Sequence, residues 1–84
     1  MSIFENIINH KINTITTNEL LKYANQFNIS VNRPQATKIA EYLKGKQFNI
    51  FDNKQRMTIV KEIAKVTSPG TAQEVNKLFK QFTK

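Results

Sequence analysis

The chain has 84 residues, with 13 Lys and Arg against 6 Asp and Glu and no cysteine, which describes one small basic domain spanning residues 1–84. Without cysteine there are no disulfides and no thiolate metal sites, as fits a reducing cytosol, and no run is apolar for long enough to span a bilayer. The net charge of +7 has two readings: attraction to a polyanion such as nucleic acid, or the bias of a chain rich in Lys, Asn and Ile.

The start, Met1-Ser2-Ile3-Phe4-Glu5, has neither a basic region nor a long apolar run, so no signal peptide and a cytoplasmic location are expected. Ser2 and Glu5 have capping-box spacing, and a first helix is expected from residue 3 to about residue 12. Ile3, Phe4, Ile7 and Ile8 share one face of it. The opposite face carries Glu5, three asparagines and Lys11 in place of a row of cations. That pattern predicts docking onto the protein's own core and no membrane contact.

Thr16-Thr17-Asn18-Glu19 is a second capping box. The helix it opens runs to about Phe27, with Leu20, Leu21, Ala24 and Phe27 inward and Asn28 as a left-handed stop. Ile29-Ser30-Val31 reads as a short extended link. Asn32 caps a third helix with Pro34 in its first turn, Ala36, Ile39, Ala40 and Leu43 buried, Tyr42 beside them and Gly45 at its end. In the segment from Lys46 to Phe51, at least two of Phe48, Ile50 and Phe51 belong inside. Asp52 and Gln55 bracket the start of a fourth helix with the stripe Met57, Val60, Ile63 and Ala64. Ser68-Pro69 opens a fifth, with Ala72, Val75, Phe79 and Phe82 inward and Leu78 beside them. The expectation is an all-α protein, a compact bundle of about five short helices.

The central two helices carry a 21-residue internal repeat. Gln26-Phe27-Asn28-Ile29 returns as Gln47-Phe48-Asn49-Ile50, and Asn32, Arg33, Ala36 and Ile39 then meet Asn53, Lys54, Met57 and Val60. Two copies are too few for a free-standing solenoid.

Catalytic chemistry finds no support. Glu19, Glu41, Glu62 and Glu74 each precede a lysine by three residues, a helical ion-pair spacing, and Glu5 and Asp52 sit at helix starts. His10 is the sole histidine and lacks ligand or base partners, and the two glycines are isolated. No enzyme, metal or cofactor is expected. Among the phenylalanines, Phe48 and Phe51 are the candidates for stacking on bases.

One feature suggests binding. Arg33 opens the third helix, and Lys54 with Arg56 opens the fourth, although cations there oppose the helix dipole. A bound anion reverses that sign, because free backbone N–H groups and a nearby cation make a phosphate site. Arg33, Lys54 and Arg56, with Lys38, Lys46 and Lys61, are therefore the candidate phosphate ligands of a non-enzymatic nucleic-acid-binding module. The alternative is a protein–protein adaptor or small homodimer with an uncovered apolar helical face.

Four segments resemble a family of small proteins of Gram-positive bacteria classed as a domain of unknown function. They are Asn18-Glu19-Leu20-Leu21-Lys22-Tyr23-Ala24, Asn49-Ile50-Phe51, Lys61-Glu62-Ile63-Ala64-Lys65, and Ser68-Pro69 through Glu74-Val75-Asn76-Lys77-Leu78-Phe79. The resemblance covers nearly the whole chain. It implies a bacterial cytosolic protein and carries no activity, cofactor or functional residue.

Overall fold

The computed structural model describes residues 2–82, without the side chain of Phe82, so the expectation for that side chain lies outside the described residues. Five helices follow in order: α1 (Ile3–Asn13), α2 (Thr17–Gln26), α3 (Arg33–Leu43), α4 (Asn53–Val66) and α5 (Pro69–Phe82). Among the described residues there is no strand. The fold is the expected all-α bundle.

Each helix begins where its cap places it. Ser2, Thr16, Asn32, Asp52 and Ser68 each accept a hydrogen bond from the backbone N–H three residues on. In α2 and α3 the box closes reciprocally, with Glu19 accepting from the Thr16 N–H and Gln35 from the Asn32 N–H. Helix ends follow the same logic. Asn28 takes φ 57° just after α2, and Gly45 takes φ 76° just after α3.

The core is built from Ile39 and Leu43 of α3, Ile59, Val60 and Ile63 of α4, Ala72 and Phe79 of α5, and Ile50 from the segment between α3 and α4. Helix packing runs α4 on α5, α2 on α3 and α3 on α4, and α1 has no comparable helix partner.

The 21-residue repeat is not the structural period. Buried positions recur at an offset of 20: Ala36 with Arg56, Ile39 with Ile59, Ala40 with Val60, and Leu43 with Ile63. The caps Asn32 and Asp52 share that offset. A one-residue slip rotates a helix by about 100°. Met57, the 21-residue counterpart of buried Ala36, is accordingly 40% exposed, Arg56 takes the inward place expected of it, and Ile59 joins Val60 and Ile63 in the core. The two Gln-Phe-Asn-Ile copies also differ locally. The first holds Asn28 in the left-handed region; the second holds Gln47 there, at φ 56°.

Candidate functional site

The structure disperses the six candidate phosphate ligands. The Arg33 guanidinium donates to Asn18 Oδ1 at 3.0 Å, tying the start of α3 to that of α2. Lys38 is exposed on α3. Lys46 Nζ lies 4.3 Å from the centre of the Tyr42 ring, which itself stacks on Phe48 at 5.6 Å. Phe48 and Phe51 both pack partly buried against the core, so neither stands free as a stacking platform. Lys54 and Lys61 come together on α4, where with Asn53, Met57 and Thr58 they edge an open hollow.

Arg56 departs most from expectation, because it points inward and is only 8% exposed. Its guanidinium donates to the Ile50 carbonyl at 3.2 Å and to Asn53 Oδ1, while Nε is buried without a partner. Arg56 is thus a strut under the loop, removed from any visiting anion.

The helix starts offer a phosphate little. At α3, Pro34 has no N–H and the Gln35 N–H is held by Asn32, which leaves only the Arg33 N–H of the first three. At α4 the Asp52 carboxylate already occupies the position an anion would take. The two starts have their compensation built in.

The organising contact lies elsewhere, in a clasp between α1 and the segment 48–50. Asn13 Nδ2 donates to the Phe48 carbonyl and Asn13 Oδ1 accepts from the Phe48 N–H, both at 2.8 Å. One amide side chain thereby serves both backbone groups of Phe48, as a neighbouring strand would. One turn earlier, Asn9 Oδ1 accepts from the Ile50 N–H at 3.0 Å, and Asn9 Nδ2 donates to Asn49 Oδ1 at 2.9 Å. Ile50 is fully buried, so its backbone groups need partners inside the protein. Asn9 supplies the acceptor and Arg56 the donor, and these are the two buried polar residues among those described.

The clasp decides which way α1 faces. With Asn9 and Asn13 turned inward, the apolar stripe expected to dock on the core is only partly covered. Ile8 and Ile12 pack against the core, but Ile3, Phe4 and Ile7 are 79%, 57% and 62% exposed. Phe4 and Ile7 lie one turn before Ile8 and Lys11, so Lys11, expected on the opposite face, shares the apolar one. Ile8, Lys11 and Ile12 form one wall of an apolar trough of about 290 Å³, which continues over Leu20 and Tyr23 of α2, Phe27 just after it, and Leu78 and Phe79 of α5. Phe27, expected inside, stands 46% exposed at its edge. Helical spacing thus sets the ridge one turn before the trough wall.

Charge is unevenly divided along the chain. Residues 1–32 hold Lys11 and Lys22 against Glu5 and Glu19, a balance of zero. Residues 33–84 hold eleven Lys and Arg against four Asp and Glu, which is the whole excess of +7. Lys11 and Glu19 form an ion pair joining α1 to α2, in place of the expected Glu19–Lys22 pairing. Hydrogen bonding to Lys11 holds the Glu19 carboxyl below its ordinary range, and Glu19 raises the Lys11 ammonium in turn. Of the other expected pairs, Glu62–Lys65 closes at 4.0 Å.

Among the described residues, no group of His, Cys, Asp and Glu could hold a metal ion, and no helix is long and apolar enough to cross a membrane. The family model described as a protein of unknown function, DUF2624, matches residues 1–83. The chain is 47% identical over 83 residues to a Bacillus subtilis (strain 168) protein bearing the name Uncharacterized protein YqfT, with 99% of each chain covered. No solved structure matches it.

Proposed function

We propose that this chain, which belongs to the DUF2624 family, is a non-enzymatic protein-interaction module whose working surface is the apolar face of α1 and the trough beside it. The observation that carries this reading is the exposure of Ile3, Phe4 and Ile7 on one face of α1, one turn before the trough wall that Ile8 and Lys11 share with Phe27. Taking ~150–250 Å² as the full area of a large side chain, Ile3, Phe4, Ile7 and Phe27 leave on the order of 500 Å² of apolar surface open, at the upper end of what monomers expose. A photo-reactive residue in place of Ile7, expressed in a bacterial cell, tests it, with the same residue in place of Lys38 as control. Protein adducts from position 7 alone are expected; none from position 7, or equal yields from both, overturn the reading.

A second reading rests on the charge division. The exposed cations of residues 33–84, Lys38 on α3 and the neighbouring Lys54 and Lys61 on α4 among them, suit a polyanion such as nucleic acid, engaged by side-chain charge without help from the capped helix ends. Binding to mixed DNA and RNA at several salt concentrations tests it, with Lys38→Ala, Lys54→Ala and Lys61→Ala combined. Affinity that ignores both salt and the triple substitution ends it.

A further inference from the structure

We infer that the occupant of the α1 face is a second copy of this chain, the ridge of one copy seated in the trough of the other. This rests on the reading of that face as an interaction surface and names its partner. Two independent observations select a second copy.

The first is shape. The chain carries both halves of the contact, a ridge of Ile3, Phe4 and Ile7 and a trough of about 290 Å³ whose walls are almost wholly apolar. A dry apolar cavity of about 150 Å³ accepts a benzene-sized group, so the trough has room for roughly two large side chains. Phe4 and Ile7 of a partner copy are such a pair. Under two-fold symmetry the insertion is reciprocal, since each copy offers the same patch and the ridge-to-trough contact occurs twice.

The second is charge. Two molecules at +7 repel, and the Debye length of about 8 Å at physiological salt leaves that repulsion acting at contact distance. Residues 1–32 sum to zero, so the α1–α2 side is where two copies meet at least electrostatic cost. An acidic partner helix would be drawn to α3–α5 instead. Lys11, the one cation lining the trough among the described residues, is already neutralised by Glu19.

Sedimentation of the purified chain across a concentration series is the test, with Ile3→Asp plus Ile7→Asp as the disrupting variant. Both side chains are more than half exposed, so the folded monomer tolerates the change, and unaltered helical circular dichroism confirms it. The expected result is a reversible dimer whose dissociation constant rises at least 100-fold in the variant. The absence of cysteine allows a second measurement. Ile7→Cys mixed with a separate Phe27→Cys chain should give a disulfide-linked mixed dimer on mild oxidation, because it pairs a ridge position with a trough edge, and Ile7→Cys mixed with Lys38→Cys should not. A chain that stays monomeric to several hundred micromolar, or a dimer that survives the double substitution, overturns the proposal. A monomer whose position 7 still cross-links another protein in cells removes the second copy but keeps the interaction module. Absence of any adduct removes both.

Discussion

Replacing Asn13 with Ala tests the clasp that sets the orientation of α1. The substitution deletes the acceptor for the Phe48 N–H and the donor for the Phe48 carbonyl, along with the bond from Asn13 to the Asn9 carbonyl. A hydrogen bond contributes about 0.5–1.5 kcal/mol net, and a part-buried group left unpaired costs about 1–3 kcal/mol. Phe48 is half-buried, so water can reach part of the loss, and an overall cost of about 2 kcal/mol is expected. At an unfolding entropy of about 2.1 cal/mol/K per residue, 84 residues give about 180 cal/mol/K, which makes the drop in Tm roughly 10 °C. Urea unfolding followed by circular dichroism measures it, with exposed His10→Ala as a control expected to stay within about 0.5 kcal/mol. Asn13→Ala indistinguishable from the parent at an unchanged m-value would mean that the asparagine bonds contribute nothing and that α1 is held by Ile8 and Ile12 alone.

Further outcomes follow from the same contacts. Arg56→Met keeps the buried stem but leaves the Ile50 carbonyl unpaired, so it should cost about 1–2 kcal/mol in urea unfolding, and less than Arg56→Ala, which adds a cavity; neither should alter polyanion affinity. Gln47→Gly relieves a side chain held at φ 56° and should raise the urea midpoint, whereas Gly45→Ala at φ 76° should lower the midpoint through a loss of about 1 kcal/mol of stability; with nothing within 4 Å of the added Cβ, the second cost is purely conformational. The Glu19 carboxyl is lowered in the folded state by Lys11, so its contribution is present above the unfolded-state value and lost as pH falls through the lowered one. Glu19→Gln should therefore flatten the acid limb of the stability–pH curve while leaving stability near neutral pH insensitive to small pH changes; an acid limb of unchanged slope would rule the pair out.

Helix count, caps and stops were legible because they depend on local chemistry. Asn32 with Gln35, Asp52 with Gln55, and Asn28 and Gly45 at helix ends all act within a few residues of themselves. The buried stripe of α3 was equally readable from its 3.6-residue period. In α4 the expected Val60 and Ile63 are buried and Ala64 packs against the core, but Met57 stands outside and Ile59 inside, because the repeated tetrapeptide suggested a 21-residue register while the helices keep one of 20. The orientation of α1 was not readable locally. Asn9 and Asn13 look like a solvated face, and only their meeting with Phe48 and Ile50, some 35 to 41 residues away, turns them inward. The signal available was three asparagines at helical spacing, Asn6, Asn9 and Asn13, on a helix whose other face was richly apolar. Arg56 was hidden for the same reason, since a cation in a first turn reads as a surface charge until a buried carbonyl claims it.

The clasp and the open apolar face are therefore one feature seen from two sides. Turning α1 to bury Ile3, Phe4 and Ile7 would strip the acceptor from the N–H of fully buried Ile50 and both partners from Phe48. Keeping the asparagines inward leaves about 400 Å² of Ile3, Phe4 and Ile7 uncovered, which at about 25 cal/mol per Å² is a gross ~10 kcal/mol of burial not realised within one chain. That is as large as the whole net stability of an ordinary domain, about 5–15 kcal/mol. Association recovers part of it against a cost of several kcal/mol in lost translational and rotational freedom. Folding and association are then coupled, because a second copy binds only the folded face. The thermal midpoint of the parent chain should rise with protein concentration, and that of the Ile3→Asp plus Ile7→Asp variant should not. Equal, concentration-independent midpoints would leave the exposed stripe without an occupant of its own kind.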